Sequence, residues 1–195
     1  ANGTLGDWGI HWMDQVLWWT DENYPRKIFS AAARYIKEDG TDAPDTQQVI
    51  FEFESFTATW EHRQYAGNGA EKAHIGCYFY GTEGTFHMGW LDGWTFYPAD
   101  SKKSIIHEAP QLHKPDEQNI RELWADFLEA IAQRRRPASD IETGHRSTNM
   151  SLLGMLSWKA GRSIQWDGVK EQVIGDPAAN LLLQRAYRGE WQYPT

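Results

Sequence analysis

The sequence predicts an α+β fold, an open and mainly antiparallel sheet of about six or seven strands with helices packed on one face. Two observations carry this. Between residues 26 and 108, short runs alternate apolar and polar residues and are joined by short turns, the pattern of half-buried antiparallel strands. From residue 120 onward the spacing changes to i, i+3, i+4, which is that of amphipathic helices.

The elements follow in order. A first helix runs to about Trp19 and is broken by Tyr24-Pro25. Arg26 to Ile36 reads as a strand, followed by a polar turn from Asp39 to Pro44. Gln48 to Ser55 sets Val49, Phe51 and Phe53 on one face against Glu52 and Glu54 on the other. Phe56 to Gln64 puts Trp60 and His62 on one side and Glu61 and Arg63 on the other. A loop with Gly67, Asn68 and Gly69 leads to a strand from Ala73 to Tyr80. Gly81 to Gly84 then forms a hairpin turn into Thr85 to Trp90. Weaker strands follow near Trp94 to Tyr97 and Ser104 to Glu108. Ile120, Leu123, Trp124, Phe127, Leu128 and Ile131 mark one face of the next helix. Ser139 to Glu142 reads as a capping box for a long helix reaching about Arg162. Asp176-Pro177 is a cap followed by proline at the first position of a short third helix.

The chain of 195 residues is expected to form one domain across residues 1–195. Apolar residues make up 41% and charged residues 24%, an ordinary globular composition. The net charge of −8, with dispersed basic residues, argues against a nucleic-acid partner. Its one basic cluster, Arg134 to Arg136, falls at a helix end where cations favour the dipole. Cys77 stands alone, so no internal disulfide forms, and location, cytoplasmic or exported, stays open. No apolar run approaches membrane-spanning length. The 11 Trp exceed what a core needs, and aromatic faces suit the C–H surfaces of sugar rings.

Asp7, His11 and Asp14 fall at i, i+4 and i+7, one stripe of a helix, with Trp8, Trp12 and Trp18 nearby. A carboxylate one turn from a His can hold its ring and raise its basicity, as a general acid/base requires. The same spacing also suits a helix start at which Asp7 meets the dipole and His11 is half-buried. His145 follows Gly144 near the start of the long helix, where it reads as a packed polar residue of the first helical turn. Trp60, His62 and Arg63 point in opposing directions and cannot share one pocket. His74, His87 and His107 read as structural strand histidines. Asp7, His11, Asp14 and His145 are chemically able to bind zinc or manganese, but no close ligand motif supports a metal. No G-x-G-x-x-G stands between a strand and a helix, so the chain has no nucleotide-binding βαβ unit.

Three stretches together resemble the Gfo/Idh/MocA oxidoreductases, in their bacterial branch: Gly6 to Asp14, Asp140 to Ser147, and Ala179 to Arg188 followed by Trp191. The resemblance implies the substrate and oligomerisation domain of an NAD(P)-dependent enzyme acting on a sugar or polyol hydroxyl. His11 would take the hydroxyl proton and Asp7 would orient it, with Asp14, His145, Trp8 and Trp12 binding substrate. NAD or NADP would be bound mainly by an N-terminal Rossmann domain that relatives carry before this segment. The chain is therefore expected to be a piece of a longer two-domain protein and inactive alone. The free sheet face, expected to be relatively apolar, would make a homodimer or homotetramer. Asp7, His11 and His145 are expected to converge on one pocket. Two alternatives remain: a relative that oxidises transiently and then eliminates or hydrolyses, as NAD-using glycosidases do, or a non-enzymatic carbohydrate-binding or assembly module.

Overall fold

The computed structural model describes residues 2–67, 75–113, 118–184 and 187–192. The expected loop at Asn68 and Gly69 and the position of His74 lie outside them. The chain divides into two compact units, Ala1–Ala66 with Ile141–Thr195, and Gly67–Asp140.

The first unit begins with a π-helical turn, Leu5–Gly9, running directly into helix α1, Ile10–Thr20. Asp21 closes α1 in a left-handed conformation, its N–H donating to the Leu17 carbonyl. Three antiparallel strands follow: β1 (Lys27–Ala33), β2 (Thr46–Glu52) and β3 (Thr57–Arg63). Their alternation holds as expected. Ile28, Val49 and Phe51 are fully buried on one face, and in register Ile28 faces Phe51 while Val49 faces Trp60. Helix α3, Ile141–Ala160, packs on this face with Met150, Leu153 and Leu156.

Helix α3 is buried over an unusually wide arc because it touches two neighbours, the sheet and α1. Small residues make this possible. A Cβ on Gly154 would stand 2.7 Å from a Leu5 methyl and 3.3 Å from both Val49 methyls. Serines stitch the layers: Ser151 donates to the Leu5 carbonyl at 2.9 Å, and Ser157 accepts from the Ser30 N–H at 3.1 Å. Across the same layer, the Trp158 indole donates to the Ala32 carbonyl at 2.9 Å.

The second unit, taken by itself, holds four antiparallel strands: β4 (Gly76–Gly81), β5 (Gly84–Gly89), β6 (Trp94–Pro98) and β7 (Ile106–Glu108). The register puts Phe79, Phe86 and Phe96 in one row across three strands, with Cys77, Met88 and Trp94 beside it. Tyr78, His87, Thr95 and His107 form a row on the opposite face. Helix α2, Ile120–Gln133, forms its apolar stripe as read, yet those side chains stay 40–61% exposed.

The class is α+β and the sheets are open and antiparallel. The strands, nine among the described residues, form a five-stranded sheet (β3-β2-β1-β8-β9) and a four-stranded one (β4-β5-β6-β7) rather than one sheet of six or seven. The reason is the second neighbour of β1. That place is taken by β8 (Ile164–Asp167), which arrives after α3 and pairs with β9 (Gln172–Val173). Such short strands leave no periodicity to read. Asp176 does cap the short α4, Pro177–Leu181, accepting from the Ala179 N–H at 3.0 Å. The Arg162 guanidinium and that cap hold the Asp176 carboxyl below its usual value.

The outer face of the five-stranded sheet is more polar than expected. Phe29 and Ile50 pair at its centre, surrounded by the Lys27–Glu52 ion pair and the Gln48–Glu61 hydrogen bond. Among the described residues, no helix is long and apolar enough to cross a membrane.

Candidate functional site

The π-helical turn decides which side chains the first helical stretch offers. Such turns are uncommon and concentrate at functional sites. Leu5, Gly9, Trp12, Met13 and Val16 point inward to α3 and the core. Asp7, Trp8, His11 and Trp18 lie on the opposite, exposed face. His11 and Trp8 meet edge to face, ring centroids 6.2 Å apart at 61°. An imidazole and a carboxylate one helical turn apart on an exposed face can exchange a proton with a docked ligand.

Other expected members stand elsewhere. Trp12 is 6% exposed, with its ring in the core, so it offers no face to a ligand. The reason is phase: position 12 shares the inward side of the helix with Gly9 and Val16. Asp14 is half-buried, and its carboxylate accepts a hydrogen bond from Ser147 of α3 at 2.5 Å. That bond ties helix to helix and leaves Asp14 a structural partner.

His145 lines a hollow of about 350 Å³ at the start of α3, whose walls include Asn23, Tyr24 and Glu171. Asp7, Trp8, His11 and Trp12 are not among its walls. The expected convergence of both histidines on one pocket is not what the fold produces. His145 follows the N-terminal turn of α3, and Asn23 and Tyr24 lie beyond the C-terminal end of α1. Sequence reading missed Asn149 and Glu171, which complete this cluster. Asn149 had a visible signal, four residues after His145 on the same helix face. Glu171 had none; it sits in the turn between β8 and β9 with a left-handed φ of 51°.

Three further histidines contact neighbouring side chains of their own strands or sheets. His62 is 8% exposed, its Nδ1 accepting from the Trp60 indole N–H at 2.9 Å, and burial lowers its pKa. His87 is buried and stacks on Tyr78 with centroids 4.3 Å apart. His107 contacts the Thr95 hydroxyl through Nδ1 at 3.0 Å. Among the described residues, no group of three or more His, Cys, Asp or Glu could hold a metal ion. Every described strand pair is antiparallel, so these residues contain no parallel βαβ cradle for a dinucleotide.

The fold defines the class: an open-sheet α+β domain with an exposed helix face that carries Asp7, Trp8 and His11. The sequence model of the oxidoreductase family's C-terminal alpha/beta domain matches residues 1–193, and the chain belongs to that family, the Gfo/Idh/MocA oxidoreductases. Solved structures share the fold. One is an oxidoreductase from Agrobacterium radiobacter in complex with NAD+, L-tartaric acid and magnesium, 12% identical, TM-score 0.64, matched over 83% of this chain and 48% of that one. Another is an NAD-binding protein from Listeria innocua, 18% identical, TM-score 0.58, matched over 84% of this chain and 47% of that one. The chain thus spans about half the length of these structures. No curated protein sequence matches it.

Proposed function

We propose that this chain is the substrate-facing domain of an NAD(P)-dependent oxidoreductase acting on a sugar or polyol hydroxyl. The observation that carries the reading is the exposed face with Asp7, Trp8 and His11, in a chain of an oxidoreductase family. His11 takes the proton of the substrate hydroxyl, Asp7 orients either the imidazole or the substrate, and the Trp8 ring covers a C–H face. Their exposure suits a site completed by another part of the protein. The nicotinamide, held by such a part, supplies the hydride acceptor. The Agrobacterium oxidoreductase is described with L-tartaric acid, a compound with secondary hydroxyls, which fits a polyol-like substrate. Association of two copies through the free sheet face would cover Phe29 and Ile50.

The test is a panel of sugars, polyols and hydroxy acids offered with NAD or NADP to the intact enzyme, following nicotinamide absorbance. Net cofactor reduction supports dehydrogenation. Product formation without net reduction points to the transient-oxidation alternative, and no reaction with any member defeats the enzyme reading.

A further inference from the structure

The hollow at the start of α3 has no part in the reaction proposed above, yet it is furnished as a binding site. Its polar wall is one connected cluster. His145 Nε2 and Glu171 Oε1 are 2.5 Å apart, and Asn149 Nδ2 donates to the same oxygen at 3.2 Å. The short contact fixes the tautomer: Nε2 carries the proton and donates to Glu171. The 3.1 Å approach of Asn149 Nδ2 to His145 Nε2 is then a contact between two donors rather than a hydrogen bond. On the other side, Arg146 binds both the Asn23 side-chain oxygen and the Glu142 carboxylate. Met150, Leu153 and Trp166 supply an apolar floor. Gly168 lies flat against the Tyr24 ring, where a Cβ would stand 2.1 Å from a ring carbon.

This wall selects by chemistry. The Arg146 guanidinium is already matched to the Glu142 carboxylate, and the His145 N–H to Glu171. An anion entering here would have to compete with those carboxylates. A neutral molecule with hydroxyls would not, because a carboxylate offers about four acceptor positions and both contacts to Glu171 use Oε1. Amide, guanidinium and carboxylate groups on a polar wall, with an apolar floor opposite, match the hydroxyl edge and C–H face of a sugar ring. The volume of about 350 Å³ lies in the range of small-molecule pockets.

We propose that this hollow is a second ligand site of the chain, taking a neutral polyhydroxylated molecule such as a hexose, a cyclitol or one unit of an oligosaccharide. Glu171 and Asn149 bind hydroxyls directly, and His145 holds the Glu171 carboxylate in place. The site does not rest on the oxidoreductase reading, and either can fail without the other.

The test uses the full chain with D-glucose, myo-inositol and maltose, and with inorganic phosphate and citrate as anionic probes. Binding is followed by titration calorimetry and by the NMR signals of the Trp166 indole and the Asn149 side-chain amide. Saturable shifts of both signals with at least one of the three neutral probes are expected. Glu171→Gln should weaken that binding roughly tenfold or more, the loss expected for a charge-assisted hydrogen bond. His11→Ala should leave it unchanged. No saturable shift with any neutral probe overturns the site, as does preferential binding of phosphate or citrate. Binding lost in His11→Ala but kept in Glu171→Gln overturns it too. If Glu171→Gln does not fold, the shifts mapped on the unmodified chain decide the matter alone.

Discussion

The Ser147 hydroxyl on α3 stands 2.5 Å from the Asp14 carboxylate on α1 and donates its proton there. Ser147 has a second contact, to the Thr143 carbonyl at 3.0 Å, but one hydroxyl hydrogen serves one acceptor, and the shorter contact to a charged oxygen wins. Ser147 is 2% exposed, so the Asp14 carboxylate meets its partner where water has little access. Ser147→Ala should therefore destabilise the chain by about 1–3 kcal/mol, the cost of leaving a part-buried acceptor short of its donor. A urea titration measures this. A midpoint unchanged from the parent would show that water replaces the hydroxyl without loss.

His11 stands on the same helix three residues earlier and faces the other way. In the intact enzyme, His11→Ala should lower kcat by roughly 10²–10⁴-fold, the range for losing a general base. Nicotinamide affinity should stay the same, because the imidazole faces the substrate in the reading proposed above. Asp7→Asn should lower turnover less and shift its pH profile. Steady-state kinetics over a pH series separate the two variants. Unchanged turnover in His11→Ala would remove it from the reaction. Both positions are exposed, so thermal stability of the variants should match the parent.

How far the sequence could be read follows from which signals are local. Strands β1 to β3 and the stripe of α2 were visible because each carries its own alternation or helical period over seven residues or more. The cap of α4 was visible for the same reason; Asp176 needs only its next three residues. The insertion of β8 beside β1 was not, because it depends on where α3 delivers the chain. At the site, Asp7, His11 and Asp14 do fall in one continuous helical stretch, but only Asp7 and His11 share its exposed face. Spacing alone could not say that Asp14 would turn to Ser147, 133 positions away. Nor could it rotate Trp12 into the core or bring Glu171 to His145 across the gap from α3 to the β8–β9 turn.

The crossing of α3 over Leu5 and the sheet depends on the missing side chain at Gly154. Gly154→Val should destabilise by about 1–3 kcal/mol, the cost typical of forcing extra methyl groups into a packed core. Its Cβ alone would meet Leu5 at 2.7 Å and Val49 at 3.3 Å, and two further methyls have less room still. Thermal unfolding measures the loss. Shortening the obstacle tests the cause: in a Leu5→Ala background the added cost of Gly154→Val should shrink. Additive losses in the double variant would place the strain somewhere other than against Leu5.

His62 gives the fold a pH dependence whose sign can be stated. Burial is the main influence and lowers its pKa below the ordinary 6.5. The Pro44 carbonyl near Nε2 and the Asp45 carboxylate oppose that shift without cancelling it. Its Nδ1 accepts from the Trp60 indole, so the proton added on charging would face another donor. The unfolded chain therefore binds a proton at this position more readily than the folded one does. By linkage, the contribution of neutral His62 to stability is complete above about pH 6.5 and is lost as the pH falls toward its folded value. Denaturant midpoints measured from pH 7.5 down to about pH 4.5 should decline, since this window brackets the titration of an ordinary His. In His62→Gln, which keeps a polar side chain but cannot take up the proton, that decline should flatten between about pH 6.5 and 5. Carboxylates such as Asp45, held low by the Ile36 and Tyr35 N–H groups, make their own contribution at more acidic pH in both proteins. An identical slope in the two proteins above pH 5 would show that His62 does not carry this dependence.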